Sequence, residues 1–144
     1  MAIFDKLLLA IDFSPDADQL LGRVRKLCEG HMDRVYVVHV LRGDFMLPGD
    51  LGDPVDPDQR RLRDQSQVRL TEILHRNDFS VPLENLVIRY GEPATEIKRL
   101  AHDLEADLVI VGSHSKTGGW MSLPGATTNC VLQGIESDVM AVRV

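Results

Sequence analysis

Cysteine is scarce, with two in 144 residues, Cys28 and Cys130. They are far apart and have no companion metal-ligand spacing. A disulfide framework and a zinc site are therefore disfavoured, and two buried thiols in a reducing compartment are expected. Positive charge is also in short supply: 16 Lys and Arg against 22 Asp and Glu leave a net charge of −6 and a pI near 5.3. That balance disfavours nucleic acid or an anionic membrane as the main partner. No apolar run approaches the roughly 20 residues that a spanning helix needs. The first residues, Met1 to Lys6, lack the basic, apolar and cleavage regions of a leader in order. A cytoplasmic protein with no membrane partner is the expectation. Neither an internal repeat nor a low-complexity segment is present, and no Ser-His-Asp set or zinc spacing points to a hydrolase.

What is present is a 44% hydrophobic fraction, enough for one respectable core in a single domain spanning 1–144. Lys6–Asp12 and Arg34–Leu41 are short, continuous apolar runs of the kind that form strands buried on both faces. Leu83–Tyr90, Ala106–Val111 and Asp138–Val144 read as three further strands. Between them lie helical patterns. Ser14 as N-cap and Pro15 at the first helical position open one, whose inward face is Ala17, Leu20, Leu21, Val24, Leu27 and Cys28, stopping near Gly30. Pro57 to about Asn77 is a charged helix with Leu62, Leu70, Ile73 and Leu74 inward. Pro93 opens a third, with Ala94, Ile97, Leu100, Ala101 and Leu104 inward, and Thr127–Ile135 a fourth. Arg42–Asp58 is a long loop rich in Gly, Pro and Asp. Strands alternating with helices predict an α/β fold: a doubly wound, five-stranded parallel sheet sandwiched by helices. Ligands in such sheets sit beyond the carboxyl ends of the strands, at the switch in strand order. This directs attention to Asp12, Val40, Gly91 and Gly112 onward.

The segment Leu108–Val131 is the most telling. An apolar run stops at Gly112, a small-residue polar loop follows, and a helix-compatible stretch starts near Gly125. Strand, small-residue loop, then helix aims backbone N–H groups at an anion, and the helix dipole adds to the attraction. Lys116 adds a cation, and Ser-Lys-Thr superficially resembles a P-loop, but Ile110 stands where that motif needs its first glycine. His114 lies in the same loop, as a solvated residue or a phosphate contact. His39, within the second strand, reads as a core or strand-end residue. Asp12, after a buried strand, is the best single carboxylate and either binds a ribose hydroxyl or caps its own turn. The Arg60–Arg63 cluster reads as a solvated helix face.

Several stretches together resemble the universal stress protein family over nearly the whole chain: Leu8-Leu-Ala-Ile-Asp12 with Ser14, Val37-Val-His-Val40, Gly91-Glu-Pro93, Asp107-Leu-Val-Ile-Val-Gly-Ser-His114, and Val139-Met-Ala-Val-Arg-Val144. The resemblance implies a fold like that of adenine-nucleotide alpha hydrolases. It also implies binding of ATP or AMP, with Mg²⁺ only alongside the phosphates. The family's pattern is Gly, two residues, Gly, nine residues, Gly, then Ser or Thr. Here Gly112 and Gly125 hold their places, Ser115 replaces the second glycine and Ala126 replaces the hydroxyl residue. Ser115 brings a Cβ that obstructs positive φ and close approach to phosphate. Ala126 withdraws a hydroxyl worth roughly 0.5–1.5 kcal/mol as a net hydrogen bond. Thr127 and Thr128 follow and offer hydroxyls of their own.

By the same resemblance, Asp12 lies near the ribose or adenine and Val40 contacts adenine. Val111 is a further nucleotide-binding residue, and Gly112, Ser115, Gly125, Ala126, Thr127 and Thr128 bracket the phosphates. The C-terminal strand 138–144 is an apolar sheet edge, and pairing two such edges about a two-fold axis gives a homodimer, as the resemblance also implies. Two readings of function stand side by side. One is a stress-response protein that binds an adenine nucleotide, with hydrolysis at most weak. The other is a dimeric stress adaptor that binds no nucleotide and acts through an unidentified protein partner.

Overall fold

The computed structural model describes residues 4–41, 57–113 and 134–144. The chain runs β1 (Leu7–Ala10), α1 (Asp16–Cys28), β2 (Val35–Leu41), α2 (Pro57–Arg76), β3 (Leu86–Tyr90), α3 (Pro93–Leu104), β4 (Leu108–Ser113) and β5 (Asp138–Arg143). All five strands are parallel, in the order β3-β2-β1-β4-β5. The order steps outward in one direction from β1 to β3 and in the other from β1 through β4 to β5. The switch point of the sheet is therefore between β1 and β4, where Leu7, Leu8 and Leu9 align with Leu108, Val109 and Ile110.

Strand parity divides the core in two. Leu7, Leu9, Ile11, Val35, Val37 and Ile110 pack with Leu20, Leu21 and Val24 of α1 and Leu70, Ile73 and Leu74 of α2. On the opposite face Leu8, Ala10, Val38, Val40, Val109 and Val111 pack with Ala94, Ile97, Leu100 and Ala101 of α3. A strand covered on both sides has no solvent-facing position, and so all four residues of β1 are fully buried. The starts of β1 and β4 are tied together by Asp107, whose carboxylate accepts from the N–H groups of Asp5 and Lys6, each at 2.8 Å. Outside the sheet, Asp18 on α1 accepts from Arg76 and Asn77 at the end of α2, at 2.7–2.8 Å.

Three local expectations change. The third strand starts at Leu86, because Leu83–Asn85 forms a 3-10 turn after Pro82. Leu83 stands 62% exposed, so its apolar character does not mark a core position. Ser14 does not cap α1: the helix starts at Asp16 with Pro15 at the N-cap, and the Ser14 hydroxyl donates to Asp12 instead. Along α2, Leu62 is only half-buried, whereas Gln59 and Ser66 join Leu70, Ile73 and Leu74 on the buried side. Of the expected loop Arg42–Asp58, Pro57 and Asp58 instead open α2 and the rest lies outside the described residues; of the expected helix Thr127–Ile135, Gly134 and Ile135 are not helical and the rest lies outside them, as does Cys130.

Candidate functional site

Asp12 follows β1 and sits at the carboxyl end of the sheet, only 7% exposed. Its Oδ1 accepts from the Ser14 N–H at 3.1 Å and from the Ser14 hydroxyl at 2.6 Å. This Asx turn is the local cap left open by the sequence, and it uses one carboxylate oxygen. Oδ2 takes no hydrogen bond among the described residues.

Gly112 lies near the end of β4, next to β1 in the sheet. It meets Asp12 in a crevice that is also lined by Ala10, Ile11, Asp16, Ala17 and Val144. The crevice thus sits at the switch point, where the topology places ligands in doubly wound sheets. It encloses about 10 Å³, at the lower limit for one water molecule. Val40 and Val111 are fully buried on the α3 face of the sheet, and their side chains join its apolar cluster. Ser115, Gly125, Ala126, Thr127 and Thr128, together with His114 and Lys116, lie outside the described residues.

The sequence did not disclose how firmly the Asp12 turn is held. His39 is buried under α2 at 5% exposure, with Nδ1 2.9 Å from the carbonyl oxygen of Ile11. A carbonyl only accepts, so Nδ1 carries the proton. Burial pushes the His39 pKa below its ordinary value, against the opposing pull of the Ile11 hydrogen bond and the Asp12 charge. The ring is stacked on Phe13, with centroids 3.7 Å apart and planes 14° from parallel. Arg69 of α2 places its guanidinium carbon 4.6 Å from the centre of the Phe13 ring and donates to the Phe13 carbonyl at 3.3 Å. Strand parity puts His39 on the α2 side of the sheet, but nothing in the spacing of the sequence pairs it with Phe13 or Arg69.

A sequence model of the universal stress protein family matches residues 3–143. The chain belongs to the universal stress protein family. Its curated relatives include universal stress protein A homolog 2 of Coxiella burnetii, 27% identical over 98% of this chain and 96% of the relative. Another is a universal stress protein of Methanocaldococcus jannaschii, 24% identical over 98% of this chain and 96% of its own length. Among solved structures, the protein MJ0577 superposes with a TM-score of 0.70 at 25% identity, covering 99% of this chain and 97% of that one. A universal stress protein solved in complex with cAMP superposes at 0.63, with 15% identity over 96% of each chain, which establishes the shared fold. The five-stranded parallel sheet with its covering helices is thus the universal stress protein fold, and Asp12 and Gly112 lie where that fold opens.

Proposed function

We propose that this universal stress protein binds an adenine nucleotide, ATP or AMP, at the carboxyl ends of β1 and β4. Asp12 holds the ribose through Oδ2, and Val40 and Val111 supply the apolar wall nearest the base. Gly112, Ser115, Gly125, Ala126, Thr127 and Thr128 serve the phosphates, mainly through backbone N–H groups. Mg²⁺ enters only alongside the phosphates, whose hard oxygens are the ligands it prefers. The chain acts as one domain over 1–144, in the cytoplasm, as a homodimer joined through 138–144.

The observation that carries this reading is the meeting of Asp12 and Gly112 in one crevice at the switch point of the sheet. The cAMP complex of a protein with the same fold supports the class of ligand. A second reading is a dimeric stress adaptor that binds no nucleotide, favoured by the departures from the family's binding pattern at Ser115 and Ala126.

The two readings separate on the small molecules released when freshly purified protein is denatured, identified by mass spectrometry. Stoichiometric ATP, ADP or AMP is the expected result. An empty extract, followed by no heat on titration with millimolar ATP and Mg²⁺, assigns the protein to the adaptor reading.

A further inference from the structure

Asp12 is flanked on both sides by residues that rest on one imidazole. Before it, the Ile11 carbonyl accepts from His39 Nδ1 at 2.9 Å, while the Ile11 N–H donates to Val38 at 3.0 Å. After it, the Phe13 ring lies on the face of the same imidazole at 3.7 Å, and the Phe13 carbonyl takes a hydrogen bond from Arg69. With the peptide groups on either side of a residue fixed, its backbone torsions have little freedom, and the direction of its Cβ is set. The last freedom of Asp12, rotation of its carboxylate, is removed by the two hydrogen bonds from Ser14 to Oδ1. The arrangement leaves Oδ2 as the oxygen without a protein partner among the described residues, in a group that is 7% exposed beside Gly112.

We infer that His39 is a positioning residue for Asp12: a buried imidazole that fixes the turn from both sides, so that the carboxylate presents one oxygen to a ribose hydroxyl. The inference deepens the nucleotide-binding reading and rests on it for the identity of the ligand. Its chemical logic is preorganisation. A carboxylate already aimed before the ligand arrives loses no rotational freedom on binding, and it discriminates by the hydroxyl it is aimed at. A hydrogen bond to a charged partner is the strong kind, and leaving that partner unmatched is costly. His39 touches no ligand in this scheme, and it acts through Ile11 and Phe13. Arg69 extends the same support to α2, whose buried face holds Leu70 and Ile73 in the core.

The test compares ATP with its 2′-deoxy and 3′-deoxy analogues by calorimetric titration of the full chain. For wild-type protein, removal of the hydroxyl that faces Asp12 weakens binding by about tenfold, the lower range for a hydrogen bond to a charged group. His39→Phe keeps a ring against Phe13 and removes the donor to Ile11. It should bring ATP down to the affinity of the deoxy analogue and leave that analogue where it was. His39→Gln keeps an N–H for Ile11 and should retain part of the discrimination. Equal weakening of all three ligands, or unchanged discrimination in His39→Phe, overturns the inference and leaves nucleotide binding standing.

A second readout needs no ligand. Amide hydrogen exchange at Ser14, whose N–H is held by Asp12, should quicken at least about tenfold in His39→Phe while the buried Leu9 and Val37 amides keep their rates. If wild-type protein takes up no nucleotide, the functional reading falls and this measurement alone decides the positioning role. An unchanged Ser14 rate, or a uniform rise across the sheet, overturns it.

Discussion

His39 enters the core without a charge, and the pH dependence of stability should report it. Desolvation lowers its pKa in the folded state, while the unfolded chain titrates near 6.5. Two charges oppose one another at the ring: Asp12 favours the protonated form and Arg69 disfavours it. Because the folded pKa is the lower one, the unfolded chain binds the extra proton first as pH falls. The stabilisation due to the neutral imidazole is complete above about pH 6.5 and is lost between that value and the lower folded pKa. Urea midpoints should therefore drop between pH 7.5 and 5.5, and His39→Gln should flatten that part of the profile. An equal drop in the variant would assign the slope to other groups. The part of the site that is legible in sequence is the part made by local chemistry. Asp12 follows a buried strand and Ser14 follows two residues later, so the Asx turn is one of the two roles that the sequence allows Asp12. The stack of His39, Phe13 and Arg69 was not legible, because it joins three elements through ring faces, and ring stacking leaves no periodic trace.

At the scale of the elements, alternation carried most of the information. Strands buried on both faces read as unbroken apolar runs, and helices facing one sheet read as 3.6-residue stripes, so the α/β order follows from β1 through β5. The misreadings occur where composition and geometry part. Leu83 is apolar but follows Pro82 in a 3-10 turn, and Gln59 and Ser66 are polar but lie on the buried side of α2. Gln59 is fixed there by its backbone: its carbonyl accepts from the Tyr90 hydroxyl, which ties the start of α2 to the end of β3. Element boundaries also depend on caps. Glu92 caps α3 by accepting from the N–H of Thr95 at 2.8 Å and from its hydroxyl at 2.9 Å, and Pro93 supplies the first turn. Loss of such a cap costs about 1 kcal/mol, which corresponds to about 2–4 °C in a domain of this size. Glu92→Ala should lower Tm by that amount in a thermal melt, with little change in Glu92→Asp, which keeps a capping oxygen. A Tm within half a degree of wild type would show that the cap adds nothing to the packing of Ala94 and Ile97.

The sheet has two edges, and at the scale of the whole molecule the proposed homodimer uses the one at β5. Asp138 N–H donates to Asp107 and Val144 N–H to Ser113, so the even-numbered residues turn their backbone groups towards β4. Val139, Ala141 and Arg143 therefore turn theirs outward. The Arg143 carbonyl is already taken, by Arg23 of α1 at 2.6 Å. An antiparallel pairing of two copies that leaves Arg23 in place uses Val139 and Ala141 alone, with each bonded to the other's counterpart across the axis. That register sets Met140, 37% exposed, opposite Met140 of the second copy. Residues so opposed, with no hydrogen bond directly between them, have Cα atoms about 4.5 Å apart. That separation lies within the roughly 4.4–6.8 Å a disulfide spans. In protein carrying Cys130→Ser, Met140→Cys should oxidise to a covalent dimer under mild conditions, and Ala141→Cys much less. Cys28 should not interfere, since burial pushes its pKa to about 11 and suppresses the reactive thiolate. Adding Arg23→Ala frees the Arg143 carbonyl to accept from Val139 of the other copy, which moves the axis onto Ala141. The cross-linking yield should then shift from position 140 to position 141. Efficient cross-linking at 141 with Arg23 intact would refute the assigned register, and cross-linking at neither position would remove β5 as the dimer edge.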